Sequence, residues 1–181
     1  MSENFSLSPT NPAAMTGAYD RARQAPTLGE VFESEELSRA LLEAARWPQG
    51  PECLRCHALG AACRLTTRPG LWTCKACRSC QYSVTSGTPL HGTRVTLASW
   101  VVLFHAQEIR RQRLSVSQVS RKLGVSYLTA KSMLQRLDEL REKMPEMADR
   151  MRHQLAELSG VRDQSSMHAS HMSAGAGNMG A

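Results

Sequence analysis

This sequence of 181 residues lacks long apolar runs, and over one long stretch it also lacks acidic side chains. No segment approaches the roughly 18 consecutive apolar residues of a membrane-spanning helix. Residues 1–6 have neither the basic head nor the apolar core of a secretory signal. The sequence therefore predicts a soluble, cytoplasmic protein with no membrane partner.

Asp and Glu are absent from residues 53–107, which makes the net charge of +6 uneven along the chain. The same stretch carries six basic side chains: Arg55, Arg64, Arg68, Lys75, Arg78 and Arg94. A segment of one charge sign favours a partner of the opposite sign, and the sequence therefore predicts a polyanionic partner.

Four of the six cysteines form two C-x-x-C pairs, Cys53 with Cys56 and Cys74 with Cys77, separated by seventeen residues. This spacing places two thiolates on each of two tight turns and is typical of a four-thiolate zinc site. Disulfides are the alternative, but they need an oxidising compartment, and no export signal is evident. A four-thiolate site is closed to water, so we expect one Zn²⁺ with a structural role.

Two further cysteines, Cys63 and Cys80, lie outside the pairs and either could compete for a place on the metal. The interpretation we favour is that both are spare or small apolar fillers. A redox role for either pair needs a thioredoxin-like βαβ context, which the sequence lacks. Because four thiolates leave a formal charge of minus two on Zn²⁺, Arg55, Lys75 and Arg78 have an alternative role in balancing the site.

Capping residues and periodicity predict the elements around the cysteines. Ser34 is an N-cap for a helix that ends at about Arg46. Residues 71–74 and 81–85 are β-prone runs of a ribbon hairpin. Thr96 caps a further helix, whose aromatic residues are most simply core.

Residues 115–143 have the pattern of two helices joined by a tight turn. Ser115 and Gln118 form a capping box, Gly124 supplies a left-handed residue, and Ser126 caps the second helix. The pattern is typical of a helix-turn-helix, whose second helix enters the major groove of double-stranded DNA. The alternatives are an αα-hairpin that only packs and a dimerising helix.

The helix-turn-helix interpretation assigns DNA-binding roles by residue type. Residues of the second helix predicted to face outward are Tyr127, Leu128, Lys131, Ser132 and Gln135. Among them Lys131 suits guanine and Gln135 suits adenine. Predicted phosphate contacts are Arg110, Arg111, Arg113, Arg121, Lys122 and Arg136. Between residues 110 and 143, nine basic residues against three acidic ones give a local net charge of +6.

The predicted fold class is small mixed α+β: a β zinc ribbon flanked by helices, then the helix-turn-helix module, with disordered termini. The predicted organisation is a leader at 1–26, the N-terminal helix and ribbon at 27–94, a helix with the helix-turn-helix at 95–144, a C-terminal helix at 145–160, and a tail at 161–181. The C-terminal helix carries Met147, Met151, Leu155 and Leu158 at helical spacing, a packing or pairing surface. Scattered histidines near the end, His153, His168 and His171, are interpreted as incidental rather than metal-binding.

Several of these segments together resemble the transposase zinc-ribbon family of bacterial insertion sequences. The resemblance is carried by residues 46–51 before Cys53, by Tyr82 to Thr88, and by His91, Leu97 and Trp100. With the helix-turn-helix it covers about residues 27–144. It implies that the four paired cysteines hold zinc and that the region binds the terminal inverted repeats of the element.

The chain departs from this family at the first cysteine pair and in length. The family has Pro and Gly in a CPxCG motif where this chain has Leu54 and His57. His57 replaces a residue suited to positive φ, so we expect a less regular first knuckle.

Full transposases of this kind continue into a nuclease domain with two Asp and one Glu around divalent metals. Here about forty residues follow the helix-turn-helix, and their acids, Glu146, Asp149, Glu157 and Asp163, have no strand scaffold. We therefore expect a truncated or stand-alone DNA-binding protein without catalytic residues, nucleoid-associated when bound. The alternative is an adaptor that pairs with a transposase subunit or another protein, and homodimerisation is a further hypothesis.

Overall fold

The computed structural model describes residues 27–78 and 80–160. The predicted leader and tail, with His168, His171 and Asp163, lie outside the described residues. The helices are α1 (Leu28–Glu33), α2 (Glu35–Arg46), α3 (Leu97–Glu108), α4 (Val116–Leu123), α5 (Tyr127–Lys143) and α6 (Pro145–Leu158). The strands are β1 (Ala62–Arg64), β2 (Leu71–Cys74) and β3 (Gln81–Ser83). The predicted small mixed fold is confirmed, and over this part of the chain no helix has the length and hydropathy to cross a bilayer.

Helix α2 begins and ends where its caps predict, but a short helix precedes it. Thr27 caps α1 by accepting a hydrogen bond from the Glu30 amide, 3.3 Å away. Ser34 ends α1 and caps α2, since its amide donates to the Glu30 carbonyl and its hydroxyl accepts from the Leu37 amide. At six residues α1 is too short to show a helical period in the sequence.

The three strands form one antiparallel sheet with β2 at its centre. Strand β1 was not predicted, because its three residues include none of the β-branched or aromatic types that favour strands. Strand β3 is shorter than the predicted run 81–85. It ends at Ser83, whose amide donates to the Ser86 hydroxyl and whose carbonyl accepts from the Ser86 amide, so the chain turns away from the sheet.

Three aromatic side chains join the end of α2 to the sheet. Trp72 and Tyr82 are directly opposite each other on β2 and β3. Trp47 follows α2 and meets both edge-on, with ring centroids 6.4 Å from Trp72 and 5.8 Å from Tyr82. All three are buried, and this packing fixes the ribbon against the helical part of the chain.

A buried carboxylate makes a second connection between α2 and the sheet. Glu43 is 1% exposed, and it accepts hydrogen bonds from Arg64 Nη2 at 2.5 Å and from Trp72 Nε1 at 3.0 Å. The Arg64 guanidinium also lies 4.4 Å from the centroid of the Trp72 ring. Burial raises the pKa of Glu43, and Arg64 opposes that rise.

Removal of this carboxylate is expected to destabilise the fold. Glu43→Ala leaves the Trp72 indole N–H without its acceptor, and we expect the free energy of unfolding to fall by about 2 to 3 kcal/mol. Glu43→Gln keeps an acceptor and should cost roughly half as much. Urea unfolding followed by tryptophan fluorescence measures both, with Glu33→Ala, an exposed change at the end of α1, as control. Equal losses for all three variants would contradict this role.

The C-terminal helix α6 packs within the chain. Met147, Met151 and Leu155 are buried, and α6 contacts α2, α3 and α5. Arg150 on α6 also donates a hydrogen bond to the Ala45 carbonyl at the end of α2, 2.5 Å away. These contacts fit the packing interpretation of this apolar face, and homodimerisation stays a prediction.

Candidate metal centre and nucleic-acid interface

The two cysteine pairs lie on two turns with the same backbone geometry. The residue after each pair has a left-handed conformation, with φ of 56° at His57 and 55° at Arg78. The amide of each donates to the carbonyl of the first cysteine of its pair, over 3.0 Å in both cases. The expectation of a less regular first knuckle was wrong, because His57 itself adopts the conformation that the turn requires.

The four paired sulfurs converge on one point. Cys53 and Cys77 Sγ are 3.8 Å apart, Cys56 and Cys74 Sγ are 3.7 Å apart, and all four lie within 4.8 Å of one another. A tetrahedral ion with metal–sulfur bonds of about 2.3 Å separates its ligands by about 3.8 Å. All four are free cysteines rather than disulfides. The predicted ligands are thus brought together in an arrangement that can bind one metal ion.

Backbone N–H groups favour the ionised form of the Cys53 thiol. The N–H of Cys56, and then that of Arg55, lowers the pKa of Cys53 to about 6. The Ala58 N–H lowers the pKa of Cys56, but the neighbouring thiols and burial outweigh it and raise that pKa to about 11. Since a metal binds the thiolate, Cys53 is ready to bind at a lower pH than Cys56.

The two remaining cysteines occupy different surroundings. Cys63 is paired with Thr73, the neighbour of Cys74, so its side chain lies on the opposite face of the sheet from the site. Cys80 is half-buried and packs against the core, and burial followed by the Cys53 thiol raises its pKa. Within the described residues, neither belongs to the group of four mutually close sulfurs. Their interpretation as spare or filling residues fits these positions.

Helices α4 and α5 and the turn between them have the capping geometry that the sequence predicts. In the capping box the Ser115 amide donates to Gln118 Oε1 at 2.7 Å, and the Gln118 amide donates to the Ser115 hydroxyl at 3.3 Å. Gly124 ends α4 with a φ of 65°. The Ser120 hydroxyl then donates to the Val125 carbonyl over 2.6 Å, which locks the turn before α5.

The outward face of α5 presents the predicted base-contacting residues. Tyr127 is 56% exposed and Leu128 77%, and Lys131 and Gln135 are also exposed. Ser132 is half-buried. On the opposite side of the helix, the buried residues are Ala130, Met133, Leu137 and Leu140. The face predicted to enter DNA is therefore free of the core.

The predicted phosphate contacts fall into three groups. Arg110, Arg111 and Arg113 are exposed in the segment between α3 and α4, and Arg121 and Lys122 are exposed in the last turn of α4. Arg136 is half-buried, and its Nη1 donates to the His91 carbonyl over 3.1 Å. The side chain of Arg136 thus joins α5 to the segment that leaves the ribbon, a connection that residue type alone did not reveal.

Sequence reasoning also missed a group of ion pairs behind this face. Glu108 accepts from Arg141 Nε at 2.7 Å and from Arg152 Nη2 at 2.9 Å. Arg141 further pairs with Asp138 and donates to Gln107. Arg141 therefore joins α5 to α3 and contributes less to the local positive charge than the sequence count implies.

A comparison with known protein families gives a match for the segment that contains the cysteine site. Residues 33–80, about a quarter of the chain, match the transposase zinc-ribbon domain. This segment belongs to the transposase zinc-ribbon family. The matched range contains α2, strands β1 and β2 and all four paired cysteines, and it ends just before β3, so α4 and α5 lie outside it. No curated protein and no solved structure matches the chain.

Proposed function

We propose that the protein is a zinc-dependent, sequence-specific binder of double-stranded DNA, related to the DNA-recognition region of insertion-sequence transposases. The observation that carries the proposal is the exposed outer face of α5, which displays Lys131 and Gln135 after a capped helix-turn-helix turn. Its position beside a transposase zinc ribbon supports the same conclusion. The terminal inverted repeats of such an element are the proposed target, which makes the protein cytoplasmic and nucleoid-associated.

The proposed metal is one structural Zn²⁺. Four cysteine sulfurs at tetrahedral spacing are the donor set of structural zinc sites, and such a site leaves no position open for a reacting water. The ion would hold the two knuckles together, while the contacts to DNA come from side chains elsewhere.

We also propose that the protein binds DNA without cutting it. The acids of α6 are engaged along their own helix: Glu146 with Arg150 at 3.5 Å, Asp149 with Arg152 at 2.5 Å, and Glu157 with His153 at 3.3 Å. Spread over three turns, these pairs give no convergent site for divalent ions. Cleavage of a duplex by the purified protein in Mg²⁺ or Mn²⁺ would overturn this part of the proposal.

Selection from a pool of random-sequence duplexes tests sequence recognition. We expect the wild-type protein to enrich one motif, and Lys131→Ala to relax one position of it at a cost of about 1 to 3 kcal/mol in binding. Lys143→Ala is the matched control, because Lys143 lies at the far end of the same helix and pairs with Glu139 at 2.9 Å. Failure to enrich any motif, or an identical change in both variants, would contradict the assignment.

An adaptor is the second proposed function. Leu54 and Leu59, at the first knuckle, are 39% and 55% exposed, and exposed leucines favour a protein contact. In this case a transposase subunit would co-purify with the protein after nuclease treatment, and Leu59→Lys would abolish the association. Association that disappears with nuclease would instead indicate bridging by DNA.

A further inference from the structure

We propose that Leu128 reads the 5-methyl group of thymine in the major groove, so that the preferred DNA site contains a thymine that hydrogen bonding alone does not explain. The inference rests on the proposed function and adds to it one base and one specificity-determining residue. It is based on the position of Leu128 on the same face of α5 as Lys131 and Gln135.

Leu128 is the most exposed large apolar residue described in the chain, at 77%. It is not among the hydrophobic residues that pack against the core, unlike Leu134 on the same helix. Its side chain is therefore available to a partner that contacts this face of α5.

The geometry of α5 aligns Leu128 with the two polar candidates. Leu128, Lys131 and Gln135 follow the i, i+3, i+7 spacing of one helical face. Ala130, Met133 and Leu137 occupy the opposite face and are buried. Any surface that contacts Lys131 and Gln135 therefore also meets Leu128.

The chemistry of this face matches a major groove. The groove presents hydrogen-bonding atoms that Lys and Gln side chains recognise, and its apolar group is the thymine methyl. Arg121 and Lys122, exposed on α4, add positive charge suited to the flanking phosphates. An apolar groove of a protein partner would have to bury the Lys131 ammonium, whereas DNA accommodates both side chains.

The helix rise places this thymine close to the base that Lys131 contacts. Three residues of α-helix advance about 4.5 Å, which is comparable to the spacing of about 3.4 Å between successive base pairs. The expected thymine thus lies one to two base pairs from the lysine-contacted position.

Replacement of thymine by deoxyuridine tests the proposal, because it removes the methyl group and leaves the hydrogen-bonding pattern unchanged. The probe is the duplex that the wild-type protein selects from a random-sequence pool, synthesised again with single thymine-to-deoxyuridine replacements. We expect one replacement to weaken binding about fourfold, the value for about 0.8 kcal/mol per buried methyl-sized group. Fluorescence anisotropy measures the Kd of each duplex.

Leu128→Ala identifies the residue responsible. It should bind the thymine and deoxyuridine duplexes equally, whereas Lys143→Ala, at the far end of the same helix, should keep the fourfold preference. If no replacement affects wild-type binding, or if Leu128→Ala keeps the preference, the inference is overturned while DNA binding stands. If the wild-type protein selects no duplex, the proposed function itself fails.

Discussion

Substitution of Cys74 by Ser is expected to abolish tight metal binding and to unfold the ribbon. Cys74 is 1% exposed at the end of β2, and its sulfur lies 3.7 Å from Cys56. Zinc binding to modules of this size contributes on the order of 10 kcal/mol, and the strands here are only three and four residues long. Without the ion, we expect the two knuckles to separate and the short strands beside them to lose their order.

The binding and unfolding of Cys74→Ser can be followed separately. Cobalt substitution reports the number of thiolates on the metal from its absorption spectrum, and near-ultraviolet circular dichroism reports the packing of Trp47 and Trp72. Chelation of the wild-type protein should reproduce the change seen in the variant. Cys63→Ser is the matched control, since that cysteine lies on the same sheet but on the opposite face from the site. Unchanged metal content in Cys74→Ser would refute the four-thiolate assignment.

DNA affinity is expected to fall by about 10³-fold between 50 and 200 mM salt, the loss typical of proteins that neutralise about six phosphates. Six basic residues are assigned to phosphates, in the segment before α4, in its last turn and at Arg136. Binding of Lys and Arg side chains to phosphates releases condensed counterions, and added salt opposes that release. A weak dependence on salt would argue against a phosphate-based interface.

Single substitutions divide this salt dependence among residues. Arg111→Ala and Arg113→Ala should each reduce the slope of log K against log salt by about 1 and weaken all sequences alike. Gln135→Ala is uncharged before and after substitution, so it should alter base preference and leave the slope unchanged. Anisotropy titrations at several salt concentrations give these slopes. Equal slopes for Arg111→Ala and the wild-type protein would remove Arg111 from the interface.

Features set by neighbouring residues were predictable from the sequence. The caps at Ser34, Thr96, Ser115 and Ser126 act over three residues, and the structure has each helix beginning where its cap predicts. The cysteine pairs were predictable for the same reason, because the two cysteines of each turn are only three residues apart in the sequence.

Features that depend on distant contacts were not predictable in the same way. Strand β1 exists because Cys63 pairs with Thr73, and nothing in its own three residues favours a strand. The bond of Arg136 to His91 and the burial of α6 likewise depend on tertiary packing. The apolar face of an amphipathic helix does not show from the sequence whether it packs against the same chain or against another molecule.

The hydrogen bonds that Glu43 accepts from Arg64 and Trp72 make α2 part of the unit in which the ribbon folds. Arg64 and the Trp72 indole both belong to the acid-free stretch, and their shared acceptor, Glu43 on α2, lies 21 and 29 residues earlier in the chain. A fragment cut just before Cys53 would keep every metal ligand and lose the carboxylate that accepts these hydrogen bonds. We therefore expect a folded ribbon to need α2, and the segment matched to the zinc-ribbon family, from residue 33, includes this helix in full.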